Sequence, residues 1–184
     1  LVLTAKSDYN DHLNLLLSSM SVGERSMTRI ERSITINAPA DAIEAIIGDG
    51  RRLADWYAGV EQADPDDVFP EPGGKVNVVY KAAGVTLTMT QTVLERVPGK
   101  GGVNQIEGIV SGTTRVTLTP KGAGTRVTMR LEYQVPGGSL GNMANRLLAK
   151  RINARQMEKS LENLKALVEE QLLGSTASGL AEGV

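Results

Sequence analysis

The sequence predicts an α+β fold: a curved antiparallel sheet of seven strands, with two short helices after strand one, wrapped on one long C-terminal helix. The last third carries most of that prediction. From Arg126 to Val135 the apolar residues Val127, Met129, Leu131, Tyr133 and Val135 take every second position, the mark of a half-buried strand. After the turn Pro136-Gly137-Gly138-Ser139 the period changes. Met143, Leu147, Ala154, Met157, Leu161, Leu164 and Val168 keep three- and four-residue spacing, so one stripe of a helix running to about Leu172 meets apolar surface. Such a helix is roughly 50 Å long, and only a whole sheet covers its stripe. The third observation is the shortness of the links between the central strands, which leaves room only for antiparallel neighbours.

In chain order, residues 1–27 read as an N-terminal extension, because Met27-Thr28-Arg29 resembles a natural start directly before the first strand. The extension could carry a short helix from Asp8 to Met20, and either a loose end or a packing element fits it. Ile30, Ile34 and Ile36 alternate with Glu31, Ser33 and Thr35 and give strand one, with Arg32 on its apolar face. Asn37-Ala38-Pro39-Ala40-Asp41 is a helix entry, with Ile43, Ile46 and Ile47 on one side and Gly48-Asp49-Gly50 as the stop. A second short helix spans about Arg51 to Tyr57, followed by a strand near Val60 and an acidic loop to Gly74.

Strands near Val76 to Lys81, Val85 to Arg96, Val103 to Val110 and Thr113 to Thr119 come next. The second has the clearest register: Val85, Leu87, Met89, Gln91 and Val93 face one way, while Thr86, Thr88, Thr90 and Thr92 face water. Residues 28–172 therefore form the domain, and 173–184, small and polar, a flexible tail.

A chain of 184 residues with 41% hydrophobic and 22% charged residues is an ordinary globular protein of one domain. Twenty basic residues against twenty-one acidic ones give no footprint for nucleic acid and no attraction to an anionic membrane. No run approaches a membrane span, so stable membrane insertion is not expected. The absence of cysteine removes thiol nucleophiles, disulfides and thiolate metal sites, and it fits a cytoplasmic setting. The single histidine, His12, lies outside the patterned core, which argues against a His-based triad or an ordinary zinc site.

This order of elements, with Ile34-Thr35-Ile36-Asn37-Ala38-Pro39-Ala40-Asp41, Trp56-Tyr57-Ala58-Gly59-Val60, Gly124-Thr125-Arg126-Val127-Thr128 and Ser160-Leu161-Glu162-Asn163-Leu164-Lys165, resembles the SRPBCC or START-like helix-grip superfamily. That superfamily takes in polyketide cyclase/dehydrase and lipid-transport proteins and coenzyme Q-binding proteins. The resemblance covers about Thr28 to Leu172 and implies a hydrophobic cavity between sheet and helix that takes apolar or aromatic molecules. It carries no catalytic motif that matches residue by residue, so the catalytic residues stay unknown and no cofactor or metal is implied.

Polar groups on apolar faces mark candidate ligand contacts, because burying one without a partner costs about 1 to 3 kcal/mol. Gln91, between Met89 and Val93, is either a structural hydrogen-bonding group or a ligand contact. Glu107 faces inward only if Val103, Gln105 and Ile109 do, in competition with Asn104, Ile106 and Val110; inside, it would pair with a cation such as Arg32 or hold a raised pKa. Trp56 and Tyr57 follow the second helix, where cavities of the family open, and fit a gate or plain packing. Tyr80 and Tyr133 offer hydroxyls to a ligand oxygen, and Met89, Met143 and Leu147 an adaptable wall.

The glycine-rich pieces Pro98 to Gly102 and Lys121 to Gly124 lack phosphate-loop spacing and read as hairpin turns, and the Asp64 to Glu71 cluster lacks the glycine and glutamate of a calcium loop. Two ligand-centred functions remain in view, beside that of an accessory protein that meets another protein through the N-terminal segment. One is binding or carriage of a small hydrophobic or aromatic molecule, such as a lipid, isoprenoid or polyketide-like compound. The other is a cyclase or dehydratase acting on such a molecule in the same cavity. A homodimer stays open as the oligomeric state.

Overall fold

The structure, a computed structural model, describes residues 27–82, 84–108, 110–134 and 143–181, without the side chains of 82, 85, 143–147 and 175–181. Strand β1 (Thr28–Ile36) leads through helix α1 (Ala40–Ile47), a 3-10 turn (Gly50–Arg52) and helix α2 (Leu53–Trp56) into strand β2 (Val60–Pro65). Strands β3 (Lys75–Ala82), β4 (Val85–Val97), β5 (Gly101–Gly108), β6 (Ser111–Lys121) and β7 (Gly124–Gln134) follow, and helix α3 (Met143–Ala181) closes the order. Segment 1–26, with His12 and the helix predicted from Asp8 to Met20, lies outside the described residues, as does the turn Pro136 to Ser139.

The seven strands form one antiparallel sheet in the order β1-β7-β6-β5-β4-β3-β2. The predicted fold is therefore the observed one. Strand β1 pairs with β7, Ile30 opposite Leu131 and Ile34 opposite Val127, so the first and last strands are neighbours. Register shifts between Val60 and Gln62 and between Val93 and Glu95 add local twist, and the second turns Leu94 out to water. Curvature of this kind gives the sheet a concave side. At the β6–β7 turn Gly122 takes φ +61°, a left-handed conformation that suits glycine.

One core joins the concave face to the helices. Ile36, Ile43, Val76, Val127, Leu164 and Val168 are all at or below 1% exposure, and Met157 and Leu161 lie in the same cluster. From Ala154 onward the buried stripe of α3 keeps the spacing read from the sequence, ending at Val168 with Leu172 packed beside it, while the side chains of Met143 and Leu147 lie outside those described. Beyond that point the helix continues to Ala181 with Leu173 exposed. No described helix is long and apolar enough to cross a membrane.

Candidate functional site

Two chambers open on the concave face, and Gln91 and Tyr57 line both. The larger, about 250 Å³, lies between the sheet and the first described turns of α3. Its floor is Val78 and Tyr80 of β3, Leu87, Met89 and Gln91 of β4, Ile106 of β5, and Leu131 and Tyr133 of β7. Its roof is Ala149, Ile152 and Asn153 of α3. Strand alternation explains the floor, since positions two apart share a face.

The smaller chamber, about 90 Å³, sits beneath α1 and α2 and is more polar in its side chains: Gln91 of β4, Asn104 of β5 and Thr114 of β6 line it, with Trp56 from α2. Asn104 is paired with Thr114 across β5 and β6, and Gln91 of β4, opposite Ile106, is its diagonal neighbour on the same face. The Gln91 Oε1 accepts from Asn104 Nδ2 at 3.4 Å, a long bond. Glu44 and Arg96 also line this chamber. Arg96 is held by Glu44 at 3.1 Å and by Glu71, while Glu44 further accepts from the backbone N–H of Gly99 at 2.5 Å.

An aromatic row runs from one chamber to the other. Trp56 and Tyr57 have ring centroids 5.4 Å apart, and Tyr57 meets Tyr80 edge-on at 6.4 Å. Burial pushes the Tyr57 phenol up to about 12. Burial also raises Tyr80, with the neighbouring Tyr57 and Tyr133 adding to the effect. Both phenols are therefore neutral at physiological pH and act as hydrogen-bonding groups.

Three polar residues on one side of α3 lace it to the fold: Gln156 to β3, and Ser160 and Asn163 to the segment that carries Trp56 and Tyr57. The Tyr80 hydroxyl donates to Gln156 Oε1, and Gln156 Nε2 donates to the Lys81 carbonyl at 3.1 Å. Ser160 Oγ accepts from the Ala58 N–H at 2.9 Å and donates to the Gln156 carbonyl at 2.7 Å. Asn163 Nδ2 donates to the Trp56 carbonyl at 3.3 Å. Gly59, at φ +93°, makes room: a Cβ there would stand 2.7 Å from Gln156 Nε2.

The family model for polyketide cyclase/dehydrase and lipid transport matches residues 27–169. The chain belongs to that family. Similar solved structures include the Zhui aromatase/cyclase of Streptomyces sp. R1128, at 18% identity and TM-score 0.68, covering 80% of this chain and 96% of that one. The di-domain ARO/CYC StfQ of the steffimycin biosynthetic pathway has 14% identity and TM-score 0.69, covering 91% of this chain and 62% of that one. A protein from Thermus thermophilus has 20% identity and TM-score 0.64, covering 79% of this chain and 99% of that one. At these identities the likeness establishes the fold. No curated protein matches the chain.

Within this polyketide cyclase/dehydrase and lipid-transport fold, the structure brings Tyr57, Tyr80, Met89, Gln91 and Tyr133 to the larger chamber and Trp56 to the smaller one. Met143 and Leu147 lie in the first turns of α3, with side chains outside those described. Arg32 and Glu107 line neither chamber. Arg32 does stand in the concave column between Ile30 and Ile34, but its Nε reaches Glu158 of α3 at 2.6 Å, so its partner is not Glu107. Glu107 is exposed and accepts from Gln105 Nε2, because Asn104 and Ile106 hold the inward positions of β5.

Thr114, Asn104, Asn153 and the small Ala149 are lining residues that the sequence reading did not single out. The alternation Thr114, Val116, Leu118 was a usable signal for the first. Asp66 accepts from the N–H groups of Val68 and Phe69, as a turn-forming residue of the acidic loop does, and no described group of three or more His, Asp or Glu could hold a metal ion.

Proposed function

We propose that the protein binds and carries a small hydrophobic or aromatic molecule in the larger chamber, in the cytoplasm. The observation that carries this reading is the volume of about 250 Å³ walled by valine, leucine, isoleucine, methionine and tyrosine side chains between sheet and α3. Protein interiors are otherwise close-packed, and an apolar void of that size suits an apolar guest. Membership in a family described by polyketide cyclisation and lipid transport supports the same chemistry.

Carriage is favoured over proton-transfer chemistry by the lining itself. A general acid or base works best when its pKa lies near the operating pH. Among the described residues the larger chamber offers amides and raised phenols, and no carboxylate.

The test is a thermal-shift screen of apolar dyes and fatty acids on the full chain and on Ala149→Phe, which fills the chamber from α3. A ligand at a hundredfold excess over its Kd stabilises the native state by about 2.7 kcal/mol, a rise of roughly 5 to 10 °C for a chain of this size. The expected result is a saturable rise in the wild type that Ala149→Phe, still folded, loses. A wild type with no saturable response to any apolar probe overturns the reading.

A further inference from the structure

The even charge balance of the whole chain conceals a segregation along α3. Residues 143–157 hold four basic residues and no acidic one, although the chain as a whole carries −1, and residues 158–172 hold four acidic residues and two basic ones. The order opposes the helix itself. No acidic residue stands in the first turn, where the helix dipole favours one, and Arg151, Arg155 and Lys159 follow at four-residue spacing, where like charges repel.

Nothing described inside the fold offsets that cost. Lys150, Arg151 and Arg155 are exposed and make no ion pair among the described residues. The next two acids along the helix are already engaged, Glu158 by Arg32 at 2.6 Å and Glu162 by Lys159 at 3.6 Å. A locally unfavourable pattern without internal compensation marks a surface kept for a partner.

Leu148 decides the kind of partner. It is 58% exposed and stands three residues before Arg151 and seven before Arg155, so the three share the outer face of the helix. Ala149 and Ile152, in the same turns, line the larger chamber. Cations beside an exposed leucine match a boundary where anionic headgroups take the charges and the acyl layer takes the apolar side chain. An acidic protein surface would meet the cations and leave Leu148 unmatched.

We propose that the outer face of α3 from Leu148 to Arg155 docks the protein on the surface of an anionic lipid bilayer, with the roof of the larger chamber against the headgroups. The contact is peripheral, since no described helix is long and apolar enough to cross a membrane. It goes beyond the carriage proposed above and stands on charge and exposure alone.

The full chain is mixed with vesicles of phosphatidylcholine, with vesicles of equal parts phosphatidylcholine and phosphatidylserine, and with soluble polyglutamate. Each Lys or Arg near an anionic surface strengthens partition about fivefold, the equivalent of about 1 kcal/mol, so Lys150, Arg151 and Arg155 together predict a preference for the anionic vesicles on the order of a hundredfold. About 0.5 M salt shortens the screening length to roughly 4 Å and should abolish that preference. Arg151→Gln combined with Arg155→Gln should weaken partition about 25-fold. Its melting temperature should be level or higher, because a repelling pair is gone. Lys121→Gln combined with Arg126→Gln makes the same change of charge at the β6–β7 turn, the end of β7 away from Leu131 and Tyr133, and should cost less than about twofold. Leu148→Gln should weaken vesicle binding several-fold and leave polyglutamate binding unchanged.

Equal partition onto the two kinds of vesicle overturns the proposal, as does a double variant at Arg151 and Arg155 that binds no worse than the one at Lys121 and Arg126. Polyglutamate bound as tightly as the anionic vesicles, with Leu148→Gln harmless to both, hands the face to an acidic protein and overturns the bilayer. A protein that takes up apolar dyes and ignores vesicles keeps the carriage function and loses the docking face. One that docks on vesicles and takes up no apolar probe keeps the face and loses the carriage.

Discussion

Ser160→Ala tests whether α3 is held to the aromatic segment by a buried hydroxyl as well as by its apolar stripe. Ser160 is fully buried, accepts from the Ala58 N–H at 2.9 Å and donates back to its own helix at Gln156. Removing the hydroxyl leaves a part-buried N–H without its partner, at a cost of about 1 to 3 kcal/mol. Alanine is the better helix former by about 0.5 kcal/mol, which offsets some of that. The net expectation is a destabilisation of about 1 to 2 kcal/mol, or a drop in Tm of roughly 2 to 8 °C. Urea denaturation at unchanged m-value measures the first, and hydrogen exchange at the Ala58 amide locates it, since that amide alone should lose protection directly. Lys159→Ala, on the exposed face of the same turn, controls for helix propensity. A Ser160→Ala protein as stable as the wild type, with Ala58 still protected, would refute the tether.

Two further outcomes follow from the packing and the titrations. Leu164→Ala removes a fully buried side chain from the centre of the α3 stripe and should cost about 3 kcal/mol in urea denaturation; a loss below about 1 kcal/mol would mean that this face of the helix is not packed on the sheet. The Tyr57 phenol, raised by burial from 10 to about 12, binds its proton more tightly in the folded state, so its stabilising effect is complete below pH 10 and is lost as pH climbs toward 12. Tyr57→Phe should remove that alkaline loss, on the order of 2 to 3 kcal/mol, from a series of denaturation curves between pH 9 and 12, and an unchanged pH profile would contradict the burial of the hydroxyl.

Legibility in the sequence followed the length and purity of each pattern. In β4, threonine takes every second place among the nine residues from Val85 to Val93, so one register buries the set of Val, Leu, Met and Gln91, and its inward list, Leu87 to Val93, was readable in advance. In β5, Gln105 and Glu107 compete with Asn104 and Ile106, both sets mix polar with apolar, and alternation alone cannot choose. The pairing with β4 chooses: Gln91 lies opposite Ile106, which fixes Ile106 on the concave face and Glu107 on the other. Arg32 was legible as an outlier in an apolar column, but not its partner, because Glu158 lies 126 residues away on an element whose rotation is set by the whole stripe.

The polar residues on α3 whose contacts the sequence did not show mark the physical limit most clearly. Gln156, Ser160 and Asn163 keep helical spacing and are polar, a pattern that ordinarily means a solvated face. Here they meet groups 75 to 107 residues earlier in the chain: the Tyr80 hydroxyl and the backbone of Trp56, Ala58 and Lys81. Backbone groups leave no trace in side-chain periodicity, so nothing in the pattern could separate this laced face from a wet one. The consequence bears on the chamber. Among the described residues, every hydrogen bond or ion pair from α3 to the rest of the fold falls at Gln156 or beyond, through Glu158, Lys165 and Glu169 to Gln171. Ala149, Ile152 and Asn153, which roof the larger chamber, precede all of them. Among the described residues, a guest that displaces those turns breaks no hydrogen bond or ion pair to the rest of the fold, while the laced half of the helix keeps Trp56 and Tyr57 in place.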